Sequence, residues 1–206
     1  MSSKKKKKTN NNLKQTKEEL VRKMLIAIGE NPDREGLKET PARVVKSWDE
    51  LYKGYDSTKL PNIKTFNNGN DGLVYDTLIA DEGKFYSMCE HHILPISGRY
   101  FFAYIPHAKG KILGLSKVAR VIDHFSSKLQ VQERLVSEVV DYIYNELSKD
   151  TMYKPLGVAL VMDANHMCKE IRGIKKAGKM RTTKLLGAFM EAATRSEFMS
   201  WVNKHG

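Results

Sequence analysis

Two short stretches of this 206-residue chain hold both of its cysteines and three of its six histidines. The first is Ser87-Met88-Cys89-Glu90-His91-His92, and the second is His166-Met167-Cys168. Two residues separate Cys89 from His92, a spacing that lets one turn present a thiolate and an imidazole to one metal ion. If both cysteines and one histidine bind the same zinc, three protein ligands leave a fourth position open. That is the arrangement of a catalytic site rather than a closed structural one. The competing reading makes Cys89 and Cys168 buried apolar residues and leaves the histidines to ordinary hydrogen bonds. For a lone Cys or His that reading would prevail; two clusters that each pair Cys with His favour the metal. On a strand, His166 and Cys168 at i and i+2 point to one face. Arg172 shares that parity if the strand continues, although Arg172-Gly173 equally suits a turn. Among Cys89, His91 or His92, His166 and Cys168, one zinc needs at most three, so at least one histidine is available for proton transfer.

Two further groups have the chemistry of a ligand site. In Gly114-Leu115-Ser116-Lys117-Val118-Ala119-Arg120 a helix N-terminus offers N–H groups and a positive dipole end, and Ser116 adds a hydroxyl. Lys117 and Arg120 oppose that dipole, a conflict that a bound polyphosphate would offset. Gln132-Glu133 stands at the start of another helix, where a carboxylate is already favourable for structural reasons. As a functional group, Glu133 can accept two hydrogen bonds from adjacent N–H groups of a guanine edge.

The elements that position these residues follow from periodicity. Thr16-Lys17-Glu18-Glu19 has the form of a capping box, followed by Leu20, Val21, Met24, Leu25 and Ile28 at helical spacing, with Gly29 to end the helix. Thr40-Pro41 predicts an N-cap with Pro at the first helical position and a stripe of Val44, Val45, Trp48, Leu51 and Tyr52. Arg43 and Lys46 project together from the opposite face, and by spacing alone they read as a solvated surface. Residues 66–72 are a loop by composition and a domain boundary. Beyond it, Leu73–Ile79, Tyr100–Ile105 and Lys111–Gly114 read as strands. Ser116 is a natural N-cap for a helix burying Val118, Val121, Ile122 and Phe125. A second helix from about Val131 to Leu147 follows, and Gly157–Met162 is an apolar run of strand length. This order predicts an α+β fold with an antiparallel sheet and a helix pair, preceded by an N-terminal helical extension. The expected divisions are a disordered basic tail at 1–15, a helical region at 16–65 and a catalytic domain at 66–206.

Six of the eleven net positive charges lie in residues 1–16, in Lys4–Lys8 and Lys14. That segment reads as a solvated tail capable of weak nucleic-acid contact at most. The remaining surplus suits an anionic small molecule better than a nucleic-acid face. No apolar run approaches the roughly 20 residues of a membrane span, and two cysteines make no disulfide framework, so a cytoplasmic setting is expected.

From Gly29 to Trp201 the chain resembles GTP cyclohydrolase I. The resemblance rests on Gly29-Glu30-Asn31-Pro32, Arg34-Glu35-Gly36-Leu37, Thr40-Pro41-Ala42-Arg43, Phe85 through His92, Gly114-Leu115-Ser116-Lys117, Gln130 through Leu135, and His166-Met167-Cys168 with Arg172-Gly173. It implies zinc bound by Cys89, His92 and Cys168, with His91 and His166 handling protons. It assigns Gln132 and Glu133 to the guanine base, and Ser116, Lys117, Arg120 and Arg172 to the triphosphate. Arg43 and Lys46 would reach the triphosphate from a neighbouring subunit, which reverses their reading as mere surface. The implied fold is the tunnelling fold, assembled as a homodecamer of two face-to-face pentamers. The implied reaction opens GTP hydrolytically, releases formate and yields 7,8-dihydroneopterin triphosphate. Segment 179–184 departs from the family, with Lys184 where a hydroxyl residue is usual. The alternatives are a basic binding module with a structural zinc, or another tunnelling-fold purine or pterin enzyme such as the nitrile reductase of queuosine synthesis. A zinc nucleoside deaminase is excluded, since its Cys-x-x-Cys is absent from this chain.

Overall fold

The computed structural model describes residues 16–114, 116–149 and 151–206, so the basic tail at 1–15 lies outside the described residues. The chain divides into two compact units between Lys53 and Gly54. In the first, helix α1 covers 16–27 and ends where Gly29 takes φ +90°, a conformation that costs glycine little. The expected apolar stripe of α1 is split. Val21 and Leu25 are buried, while Leu20, Met24 and Ile28 are exposed. The Glu30-to-Arg34 motif is a locked turn. Arg34 donates to both oxygens of Glu30 at 2.9 and 3.0 Å, and these bonds with the Asn31 N–H bring the Glu30 carboxyl down to about 2. Helix α2, Thr40–Leu51, has Pro41 in its first turn, but its N-cap is Glu39 and no side chain caps it. Thr40 is therefore one residue inside the helix rather than its cap.

In the second unit, strand β1 is Thr65–Asn67, and it pairs with β4, Lys111–Leu113, in a small two-stranded sheet. Residues 66 and 67, expected in a loop, thus belong to a strand, because a partner about 45 positions downstream supplies its hydrogen bonds. The expected strand at Leu73–Ile79 does not form. Strand β2 begins where that segment ends and runs Ile79–Cys89, carrying the first motif to its end. Strand β3 is Pro95–Ile105, helix α3 is Lys117–Ser126, and strand β5 is the two residues Leu129–Gln130. Helix α4 is Gln132–Ser148, strand β6 is Gly157–His166, helix α5 is the single turn Met167–Glu170, strand β7 is Met180–Gly187 and helix α6 is Ala192–His205.

The five-stranded sheet has the order β5-β2-β3-β6-β7; its pairs are antiparallel except for the short parallel contact of β5 with β2. Alternation explains how both faces are covered. Tyr100, Phe102 and Tyr104 of β3, with Val158, Leu160 and Met162 of β6, join α3 and α4 residues Val121, Ile122, Leu135, Val139 and Ile143 in one core. The intervening Phe101, Ala103, Ala159 and Val161 pack with Phe189, Phe198 and Val202, under α6. The mixed α+β architecture with an antiparallel sheet is as expected.

The departure at Lys184 is resolved locally. Its ammonium pairs with Asp141 of α4 at 2.6 Å, which ties β7 to the helix layer. Gly98 has a sharper constraint, since a Cβ built there would lie 2.1 Å from the Asp163 carbonyl oxygen.

Three substitutions separate these effects in urea denaturation. Phe101→Ala, at a fully buried ring, is expected to cost about 3–5 kcal/mol. Gly98→Ala should destabilise without removing any apolar area. Lys184→Ala should cost less than about 1 kcal/mol, because the pair is partly exposed.

Candidate metal centre

The first motif is a strand end followed by a tight turn. The Cys89 N–H donates to Leu94 O at 2.8 Å, and the Ile93 N–H donates back to Cys89 O at 2.8 Å. Closing this loop puts Ile93 at φ +53°. A β-branched residue is strained there, and such strain persists only where the surroundings over-determine it. Here they do. Buried Ser87 donates to Ser126 O at 2.8 Å, and the Glu90 N–H donates to Gln130 O at 3.1 Å. Arg134 grips the Glu90 carboxylate and the carbonyl of Leu129, and its Nε donates to Gln130 Oε1 at 2.8 Å. The fully buried Gln130 amide in turn donates to Phe125 O and to Glu138, which pairs with Lys128 at 3.0 Å.

Spacing did not single out this anchoring network. Its one sequence signal is Gln130 and Arg134, four apart and flanking the helix start. A buried amide is satisfied only by partners the fold supplies.

The second motif reaches the site differently from expectation. Strand β6 ends at His166, which becomes the N-cap of α5. Cys168 therefore lies on a helical turn, not two steps further along a strand. Arg172 follows in a turn with Gly173 at φ +63°. The outcome still converges, because the antiparallel register sets His166 opposite Ile96, just past the turn that carries His91 and His92.

One ligand atom each from Cys89, His92 and Cys168 lies within 4.8 Å of the others. Tetrahedral zinc holds neighbouring ligand atoms about 3.5 Å apart, so a small contraction closes this set on an ion. Two thiols and an imidazole are a donor set that zinc favours. Burial and the adjacent Cys89 push the Cys168 thiol up from its ordinary value, with Arg172 opposing. His91 stands beside the group with Nδ1 3.8 Å from Cys89 Sγ. The Arg172 guanidinium meets His92 Nε2.

His166 is half-buried, and burial pulls its pKa below the ordinary imidazole value, countered in part by the charge of Glu133. Its Nε2 is 2.7 Å from Gln132 Oε1. Gln132 is 1% exposed and both its N–H groups are committed to the protein, whereas Glu133 beside it is exposed. Cys89, His91, His92, Cys168 and Arg172 are thus gathered by contact or by charge, and Gln132, Glu133 and His166 form a second such group, joined to the first through the two-residue step from His166 to Cys168.

Ser116, Lys117 and Arg120 form the first turn of α3, and among the described residues no hydrogen bond ties their side chains to that group. Ser116 holds the N-cap position without a side-chain capping bond, which leaves its hydroxyl uncommitted to the helix. Arg43 and Lys46 lie on α2 in the other compact unit, both exposed, with Arg43 paired to Glu39 at 2.5 Å.

Comparison with known proteins bears on what this arrangement does. The family model described as GTP cyclohydrolase I matches residues 17–203. A protein of Nostoc sp. named GTP cyclohydrolase 1 2 is 48% identical over 186 residues, 88% of this chain and 81% of that protein. GTP cyclohydrolase 1 of Acetivibrio thermocellus is 43% identical over 89% of this chain and 94% of its own length. That of Dehalococcoides mccartyi is 40% identical over 93% and 98%. A solved archaeosine synthase, QueF-Like in its apo form, superposes with a TM-score of 0.38 at 14% identity over 52% of this chain and 92% of that one, too loosely to bear on fold or function. With the family's pattern running through nearly all of the described residues, and Cys89, His92 and Cys168 meeting at one point, the chain belongs to the GTP cyclohydrolase I family.

Proposed function

We propose that this protein hydrolyses GTP with release of formate and rearranges the remainder to 7,8-dihydroneopterin triphosphate, the entry to folate or tetrahydrobiopterin synthesis. The observation that carries this reading is the meeting of Cys89, His92 and Cys168 beside His91, with His166 two residues before Cys168, so that two histidines are not needed as ligands. Family membership supplies the substrate.

Cys89, His92 and Cys168 would hold zinc. When bound, zinc supplies a Lewis acid that activates water for attack on C8 of the purine near neutral pH. The protein's own groups do the rest. His166, whose pKa burial lowers, and His91 carry protons to and from the imidazole-ring nitrogens as the C8–N9 bond opens. Two waters enter to free C8 as formate, and one leaves as the rearranged ribose closes onto the pyrimidine amine. The exposed Glu133 carboxylate accepts from the guanine edge. Ser116, Lys117, Arg120 and Arg172 bind the triphosphate, aided by the N-terminal dipole of α3.

The same reading places the protein in the tunnelling fold as a homodecamer of two pentamers, with Arg43 and Lys46 completing a neighbouring subunit's site. No described helix is long and apolar enough to cross a membrane, and a cytoplasmic setting fits this metabolism.

Incubation of the purified protein with GTP should release formate and raise a pterin chromophore in equal amounts; their absence from zinc-replete, folded protein overturns the reading. Cys168→Ala should lose metal, read by elemental analysis as a fall from about one zinc per chain, and lose formate release with it. Full turnover by metal-stripped Cys168→Ala protein refutes the ligand assignment.

A further inference from the structure

The environment of Gln132 determines where the proton of a neighbouring histidine sits. Gln132 Nε2 lies 2.8 Å from Met162 O and 3.0 Å from Met180 O. Both partners are backbone carbonyls, which only accept, so this end of the amide must be its nitrogen. The usual ambiguity between an amide's two ends does not arise here. The other end is then the carbonyl Oε1, 2.7 Å from His166 Nε2. A carbonyl oxygen only accepts, so His166 Nε2 must carry a hydrogen. In the neutral imidazole the lone pair is therefore on Nδ1. Among the described residues no protein group hydrogen-bonds that Nδ1.

We infer that Gln132 is a positioning residue that locks His166 in the Nε2–H tautomer, leaving Nδ1 as the nitrogen that exchanges a proton with the substrate. The lock is compatible with both states of the ring. When Nδ1 gains a proton both nitrogens are donors, and the bond from Nε2 to Oε1 survives unchanged. No side chain has to turn during transfer, which is what a preorganised site requires.

The amide cannot drift, because it is fixed to β6 through Met162 and to β7 through Met180, and it begins α4. Its burial also gives it a role different from contact with the guanine base. A base contact would require the amide to give up one of these two backbone bonds, and losing a buried hydrogen bond costs about 1–3 kcal/mol. The identity of the substrate rests on the function proposed above; the tautomer does not.

The test is solid-state 15N spectroscopy of zinc-supplemented, histidine-labelled protein at mildly alkaline pH, without GTP, with the His166 resonances found by difference from His166→Asn. A single Nε2–H tautomer is expected; an Nδ1–H form or a mixture overturns the inference whatever the activity of the protein. In kinetics, Gln132→Glu keeps an acceptor facing His166 but removes the donors to Met162 and Met180, while Gln132→Leu removes both. Gln132→Leu is expected to lower turnover about 100-fold, the scale of a misdirected acid–base group, with KM for GTP within about threefold, and Gln132→Glu to retain more turnover than Gln132→Leu. A loss carried by KM in both variants overturns the inference in favour of base binding. If a variant fails to fold, the wild-type tautomer decides alone, and formate release by the wild type tests the proposed function separately.

Discussion

The antiparallel register of β3 with β6 is the constraint on which the site depends. It sets Ile96 opposite His166 and so delivers Cys168 to a turn about 80 positions upstream. A slip of one residue would turn every side chain of β6 to the wrong face. A slip of two would restore the faces but move Cys168 by about 7 Å, beyond the reach of a shared ion. The register is held by burial on both sides of the strands. Met162, Leu160 and Val158 face one core and Val161 and Ala159 the other, and all are fully buried. Packing far from the chemistry thus determines whether the ligands meet.

Around this register the protein places buried polar groups, which are unfavourable unless paired. Two glutamines illustrate the solution. Gln130 and Gln132 flank the start of α4, both with exposures of 1% or less, and each uses its amide to join elements distant in sequence. Gln130 links α3, Glu138 and the Arg134–Glu90 pair, and so stiffens the turn that carries His91 and His92. Gln132 links β6, β7 and His166. The strained Ile93 sits within the same turn, consistent with a conformation imposed by its neighbours rather than chosen locally.

Much of the fold was legible because it follows local period. Helices α3 and α4 appear where apolar residues recur at helical spacing, and β6 begins with the expected apolar run Gly157–Met162 and continues to His166. Strand β1 falls partly in the expected loop, and β2 begins only at the end of the expected strand Leu73–Ile79, because a strand is stabilised by a partner that local pattern does not name. The helical turn after His166 was missed because His-Met-Cys carries no strong preference, and the geometry is imposed where β6 leaves the sheet. Lys184, which departs from the family pattern, has its partner Asp141 43 positions away in α4, beyond the reach of local pattern.

The identities of the chemical groups were present in the sequence alone. Two cysteines each near a histidine, a basic helix start and a carboxylate after a glutamine are local facts, because ligand and acid–base chemistry belongs to single side chains. The tertiary structure decided their relations. It brought the two clusters within one ion's reach, buried Gln132 while leaving Glu133 exposed, and gave the Gln132 oxygen to His166. Spacing cannot supply these, since a hydrogen bond between residues 34 positions apart exists only once helix and sheet have packed together.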